Sequence, residues 1–363
     1  MSSEGRVAAI RGRLAEAGLA AFAVNAPANV AYLTGFEGVF DEEPASVALI
    51  TSDALAIYTD GRYVEVVADA AAGTSWEVCL VRESLWPLVT ARVAEGSTGG
   101  RLGVEATLSV GTFRRIEKEL PERVDAVEGW VEHARRVKDA SEIERIAAAQ
   151  AITDAAFEHV LGIIGSGVTE AQVALDLEVF MRSRGSDGVA FKPIVASGPN
   201  SSKPHAVPTD REIVPGDLVV LDFGARVDGY CADMTRTVVV GPATERQREV
   251  HEAVRAANVA GSAAVSAEAT GAEADAAARA VLVDRGLGDA FTHGLGHGVG
   301  REVHEMPTLS AKGTEKLREG EVVTVEPGVY VPGFGGVRIE DLVVVESGGC
   351  RVLTTSSKDL IEV

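Results

Sequence analysis

Residues 218–240 read LVVLDFGARVDGYCADMTRTVVV. The runs Leu218–Asp222 and Asp233–Val240 are apolar and rich in β-branched residues, which predicts two strands. Asp222 ends the first and Asp233, 11 residues on, opens the second. Downstream, Glu326 ends the strand-like EVVTVEPG (321–328), and Glu340 lies in VRIEDLVVV (337–345). A carboxylate that ends or interrupts a buried strand is costly unless its charge is met. One can find an arginine; four on separate strands need a stronger source of positive charge.

Working outward, the chain shows the order helix, helix, strands twice. Ser141 and Glu144 have capping-box spacing, so a helix is predicted to start there and run through AAAQAITDAAFEHVLGII (147–164). Thr169 and Gln172 open a second helix that reaches Gly185, followed by strands. Thr244 and Gln247 then open a long Ala-rich helix, and Thr270 and Glu273 another that reaches Gly286. A Gly-rich loop and more strands follow, which predicts two related halves packed face to face. Upstream lies a smaller α/β unit. Its predicted elements are a helix over 4–17, strands over 20–24, 46–50 and 54–58, and a turn-rich segment, AYLTGFEG (31–38). A helix from Arg62 to Gly73, a strand over 76–81, a loop at 96–100 and a strand over 101–104 complete it. The expected domains are 1–132, a linker with the start of an interdomain helix over 133–141, and 142–363.

Composition narrows the function classes. The 363 residues carry 54 acidic against 34 Lys and Arg side chains, a formal net charge of −20. Such a chain lacks the clustered positive charge that grips nucleic acid or anionic membrane. The N-terminus has no apolar signal region, and no stretch approaches the roughly 18 apolar residues of a membrane span. Three widely spaced cysteines, Cys79, Cys231 and Cys350, argue against a disulfide framework. A cytoplasmic protein is expected.

The four carboxylates gain a partner in His297, within HGLGHGVG (293–300). A strand-end Asp or Glu taken singly is usually a turn or cap residue; the five together are far more specific. Two divalent cations balance four carboxylates, and an oxygen-rich set with one imidazole suits manganese, cobalt, iron or zinc. Two such ions can deprotonate a shared water and polarise a carbonyl. His205, His293 and His304 lie near these segments, and Arg338 precedes Glu340 by two. In a strand that spacing would put both on one face, where the guanidinium can orient the carboxylate. Cys231 reads as a small buried residue, and His133, His159 and His251 as surface residues. HGLGH lacks the glutamate of HExxH, the alternate glycines do not make GxGxxG, and no GxSxG is present.

The motifs LDFGA, ADMTRT, HGLGHGVG with VHE, EPGVY and RIED resemble the proline-specific branch of the pita-bread metallopeptidases, the Xaa-Pro aminopeptidases and prolidases. NAPANVAYLTGF and TDGRY are similar to that branch's N-terminal domain. The resemblance implies an α+β fold, with an N-terminal α/β domain of creatinase/prolidase type ahead of a pseudo-twofold pita-bread catalytic domain. It further implies that Asp233 and Glu340 bridge two metal ions, that Asp222 holds one, and that His297 and Glu326 hold the other. His205, His293 and His304 would bind substrate and shuttle protons, supported by Arg338. The implied reaction is hydrolysis of the peptide bond before proline by a hydroxide held between two ions, Mn2+ first, with Co2+, Zn2+ or Fe2+ as alternatives. Short peptides with proline second would be the substrates, and a homodimer the assembly. Creatinase, the metal-free relative, lacks the full ligand set, which is complete here. Many dipeptidases of the branch carry an arginine after His-Glu-x-Pro that binds the dipeptide's carboxylate; here Thr308 follows. That departure favours an aminopeptidase P-like enzyme over a dipeptidase. A creatinase-like hydrolase and a non-catalytic binding protein are the further alternatives.

Overall fold

The structure, a computed structural model, describes residues 2–41, 43–95, 100–165 and 167–363. It forms two compact units, Met1–Arg135 and Arg136–Val363. The first holds a six-stranded mixed sheet. Its strands are β1 (Ala21–Val24), β2 (Ser46–Thr51), β3 (Leu55–Asp60), β4 (Glu77–Val81), β5 (Leu102–Glu105) and β6 (Val124–Val127), in the order β4-β3-β2-β1-β5-β6. Helices α1 (Ser3–Ala17), α2 (Pro27–Thr34), α3 (Val64–Ala71) and α6 (Trp130–Arg135) pack against one face. Helices α4 (Leu85–Glu95) and α5 (Val110–Glu119) pack against the other. Phe22, Val24, Ala48 and Ile50 face the first layer; Ala21, Ala23, Val47 and Leu49 face the second. Cover on both faces is why these strands read as unbroken apolar runs.

Two sequence expectations for this unit change. AYLTGFEG is not all turn: its first four residues complete α2, and Gly35, at φ 74°, supplies the left-handed cap. The helix has Pro27 in its first turn and no side-chain N-cap, so the usual opening signal is missing. Of the loop expected at 96–100, residues 96–99 lie outside the described residues.

The second unit contains the two halves. The first comprises α7 (Ala140–Leu161), α8 (Glu170–Ser183), β7 (Gly188–Val189), β8 (Ile194–Ser197), β9 (Leu218–Phe223), β10 (Ala225–Val227), β11 (Tyr230–Cys231) and β12 (Met234–Val239). The second begins with α9 (Glu245–Ala264), α10 (Gly271–Asp284), β13 (Gly296–Gly298) and β14 (Glu305–Leu309). It continues with β15 (Val322–Val325), β16 (Gly328–Val331), β17 (Gly335–Arg338), β18 (Asp341–Glu346) and β19 (Gly349–Val352). In one half β8, β9 and β12 form an antiparallel sheet; in the other β13, β15 and β18 lie in the same order. Between the paired strands each half inserts a small antiparallel hairpin, β10–β11 in one and β16–β17 in the other. Phe157, Leu177 and Met181 cover one sheet, and Val254, Ala278 and Leu282 the other. Each large apolar side chain so buried contributes about 1.5–3 kcal/mol. The halves meet where Glu340 N donates to Thr235 O at 3.0 Å and Thr237 Oγ1 bonds both N and O of Arg338 at 3.0 Å. This is the α+β, pseudo-twofold architecture that the sequence implies.

Capping boxes at Thr169–Gln172, Thr244–Gln247 and Thr270–Glu273 are all formed. The fourth is displaced. Asp139, not Ser141, caps α7: its carboxylate accepts from Glu142 N at 3.0 Å, and Glu142 returns a bond to Asp139 N at 3.0 Å. Ser141 instead donates to Asp139 at 2.8 Å, because the carboxylate is the stronger acceptor. His251 also departs from its surface reading. It is only 4% exposed, on the face of α9 that carries Val250 and Val254.

Candidate metal centre

Each of the four carboxylates stands where a paired strand gives way to its half's small hairpin. Asp222 lies opposite Thr235 near the end of β9, and Asp233 immediately precedes β12. Glu326 follows β15, and Glu340 precedes β18. His297 occupies the middle of β13, between Gly296 and Gly298. A Cβ on Gly296 would lie 2.1 Å from Thr324 O, and one on Gly298 2.2 Å from Met306 O. The alternating glycines therefore let β13 lie tight between its neighbours while His297 alone projects a side chain.

All nine residues singled out from sequence, Asp222, Asp233, His297, Glu326, Glu340, His205, His293, His304 and Arg338, line one cavity of about 440 Å³. His297 Nε2 lies 3.3 Å from Glu326 Oε1 and 3.6 Å from Asp233 Oδ2. Its Nδ1 donates to Gly298 O at 3.1 Å, which turns Nε2 toward the carboxylates. Donor atoms of Asp233, His297 and Glu340 all lie within 4.8 Å of one another, a spacing that could hold a metal ion. His304 lies beside His297, ring centroids 4.2 Å apart with the planes tilted by 53°.

The electrostatics favour a cation. Asp222 Oδ1, Asp233 Oδ1 and Glu340 Oε1 are buried without a hydrogen-bond partner. Burial, reinforced by Glu340, pushes Asp233 well above the usual carboxylate range. Burial and Glu326 do the same to Glu340, and burial raises Asp222 against the pull of Arg338. Glu326 is the exception. Burial opposes its charge, but the bond from His297 holds it at about 2. Burial likewise disfavours a charged His297, yet Glu326 raises it to about 9. The site thus holds two ion pairs, Glu326 with His297 and Asp222 with Arg338, beside Asp233 and Glu340, whose carboxyl groups are driven to keep protons. Divalent cations would displace those protons and occupy the orphaned oxygens, so the donor set fits them.

The supporting layer differs from the sequence expectation at Arg338. It does not orient Glu340. The strand breaks between β17 and β18, so the alternation that would put both on one face fails. Arg338 Nη2 instead contacts Asp222 Oδ2, while Nε donates to Thr235 Oγ1 at 2.9 Å and Nη1 to Tyr330 Oη at 2.7 Å. Thr235 holds Glu340, donating to Oε2 at 2.7 Å. Tyr330 Oη and His293 Nε2 lie 3.0 Å apart, and His293 Nδ1 donates to Gly294 O at 2.8 Å. Nε2 is then the acceptor, so the hydroxyl donates and a chain runs from Arg338 through Tyr330 to His293. Thr324 Oγ1 bonds Glu326 at 3.2 Å and accepts from His297 N at 3.1 Å. Thr235, Thr324 and Tyr330 were not singled out, since each looks like an ordinary strand residue; the available signal was that Thr235 and Tyr330 fall inside the motifs ADMTRT and EPGVY. Cys231 is buried, as expected.

Comparison with known proteins agrees with this chemistry. Residues 6–137 match the creatinase/prolidase N-terminal domain. The chain is 41% identical to an uncharacterized peptidase, YqhT, of Bacillus subtilis (strain 168), over 97% of this chain and 98% of that one. A solved structure titled Xaa-Pro dipeptidase, from Bacillus anthracis, superposes with a TM-score of 0.93 at 37% identity, covering 100% of both chains. Another, titled X-Pro aminopeptidase, from Thermotoga maritima MSB8, gives 0.89 at 35% identity, covering 98% of this chain and 99% of that one. With residues 144–347, the stretch that holds every carboxylate and histidine of the cavity, matching its profile, the chain belongs to metallopeptidase family M24.

Proposed function

We propose that this protein is an Xaa-Pro peptidase of the aminopeptidase P type, releasing the N-terminal residue ahead of proline. The observation that carries the reading is the cluster of one imidazole, half-buried Glu326 and three buried carboxylates, each of which has one oxygen without a hydrogen-bond partner among the described residues. The names of the dipeptidase and aminopeptidase relatives supply the substrate class. Asp222, Asp233, His297, Glu326 and Glu340 would hold two divalent ions. Bound there, the ions supply the charge that acidifies water and polarises the scissile carbonyl. Manganese is the first candidate, from the oxygen-dominated donors. His304 would donate a hydrogen bond to the carbonyl oxygen as charge builds on it. Glu326 would accept a proton from the attacking water. His205 would shape the pocket around the proline ring, and the chain from Arg338 through Tyr330 to His293 would relay protons. Residues 142–363 would carry this chemistry, with 1–132 as the N-terminal domain and 133–141 joining them. The protein would act as a cytoplasmic homodimer.

An Xaa-Pro bond has no N–H and a fixed ring, so the pocket selects it by shape. The expected preference is at least tenfold in kcat/KM for Ala-Pro-Ala over Ala-Ala-Ala, about 1.4 kcal/mol. Chelation should abolish both activities, and Mn2+ or Co2+ should restore them. Equal kcat/KM on the two peptides, or full activity after exhaustive chelation, would overturn the reading.

A further inference from the structure

The cavity wall includes one cation that the chemistry above does not use. Phe191, Lys192, Ile194 and Pro204 form the part of the lining contributed by the first half around β8. Of the cavity's two strongly basic side chains, Arg338 is committed to Asp222, Thr235, Tyr330 and Pro204 O. Lys192 is exposed and, among the described residues, forms no hydrogen bond or ion pair, although four carboxylates share its cavity. Its ammonium is therefore available to a ligand.

Its place in the fold sets an upper limit on how far it stands from the reacting centre. Ile194 is the register partner of Asp222, and Lys192 lies two residues before it. Two extended residues span roughly 7 Å, and a lysine side chain adds about 6 Å of reach. A peptide held with its scissile carbonyl at the carboxylate cluster runs on at roughly 3.5 Å per residue. The free C-terminus of a di- or tripeptide thus falls within reach of Lys192. That terminus is an anion entering an acid-rich cavity of a chain with net charge −20, so an uncommitted ammonium on the wall counts for much.

We propose that Lys192 is the carboxylate-recognition residue of this pocket, pairing with the C-terminus of short peptides and setting the length of substrate the enzyme prefers. The inference rests on the Xaa-Pro reading. It returns di- and tripeptides to the substrate range despite Thr308, through a residue on β8's side of the cavity.

The test compares Ala-Pro and Ala-Pro-Ala, each as free acid and as C-terminal amide, on the metal-loaded enzyme. In the wild type, at least one free acid should exceed its own amide at least tenfold in kcat/KM, chiefly through KM. In Lys192→Met the ratio should fall to within twofold of one, and Lys192→Arg should restore most of it. Among the described residues Lys192 has no partner to lose, so both variants should keep the wild-type melting temperature. Acid-to-amide ratios within twofold of one for both wild-type pairs, or an undiminished ratio in Lys192→Met, would overturn the inference. Either result leaves the preference of Ala-Pro-Ala over Ala-Ala-Ala standing, whereas failure of the Xaa-Pro reading removes that preference.

Discussion

Glu170 lies at the first position of α8, is wholly buried and does not line the cavity, yet it holds the loop that carries His205. Its Oε1 accepts from Ser197 N and Ser197 Oγ, both at 2.7 Å. Its Oε2 accepts from Asn200 Nδ2 at 3.0 Å, Thr209 N at 3.0 Å and Thr209 Oγ1 at 2.7 Å. One carboxylate therefore closes both ends of the segment 197–209. Glu170→Gln keeps the shape but must turn an NH2 toward one set of donors. At best it loses the two bonds from Ser197 and leaves that buried amide unsatisfied. Hydrogen bonds to a charged group are worth about 1.5–3 kcal/mol and an orphaned buried donor costs about 1–3 kcal/mol. Allowing for relaxation, the loss should be about 3 kcal/mol. At 2–4 °C per kcal/mol for a unit of this size, the melting temperature should drop by roughly 6–12 °C. Hydrogen exchange over 197–209 should accelerate, and KM should rise as His205 loosens. Calorimetry with peptide-resolved exchange tests this. A variant that melts within 2 °C of wild type with unchanged exchange would show that the loop is held by something else.

Further outcomes follow from the site and its surroundings. Burial depresses His251 to about 4, against about 6.5 in the unfolded chain. The unfolded state then binds more protons, so stability is complete above about pH 7.5 and drains away as pH falls from 6.5 toward 4, by at most about 3 kcal/mol. His251→Gln should flatten the melting temperature between pH 7 and 4.5, and an unchanged slope would refute this. His297→Ala should lose metal, whereas His304→Ala should keep it and lose about 10²–10³ in kcat; metal content measured beside turnover distinguishes them, and a metal-free His304→Ala protein would reverse the assignment. Arg338→Lys cannot reproduce a fork that serves Asp222, Thr235 and Tyr330 at once. It should cost at least about 10²-fold in kcat/KM, and wild-type kinetics would dismiss the relay.

What the sequence disclosed depended on whether the signal was local. The boxes at Thr169, Thr244 and Thr270 are four-residue signals, and the structure forms all three. At α7 two acceptors two residues apart, Asp139 and Ser141, competed for one helix start, and spacing alone could not rank them. α2 is buried over the whole of Asn29–Thr34, so it shows no exposed face, and its N-terminus has no capping side chain. His251 sits among Arg248, Glu249 and Glu252, which suggested a surface. The stronger signal was its phase with Gln247, Val254 and Asn258, all buried along one side of α9.

The four carboxylates of the cavity were legible for a different reason. A hairpin that leaves a paired sheet forces the strands to end, and there a carboxylate can turn from the pleated faces toward the join between halves. Asp222 and Asp233 flank β10–β11 as Glu326 and Glu340 flank β16–β17. The carboxylates are therefore the punctuation of the strands, and they stand out against apolar runs in the sequence itself. Thr235, which ties Glu340 to Arg338 across 105 and 103 residues of chain, is inside a strand and looks like any β-former. Its role exists only once β12 lies against the second half. The donor set is thus written one strand end at a time, whereas the bonds that aim it arise from contacts between halves and become visible only in three dimensions.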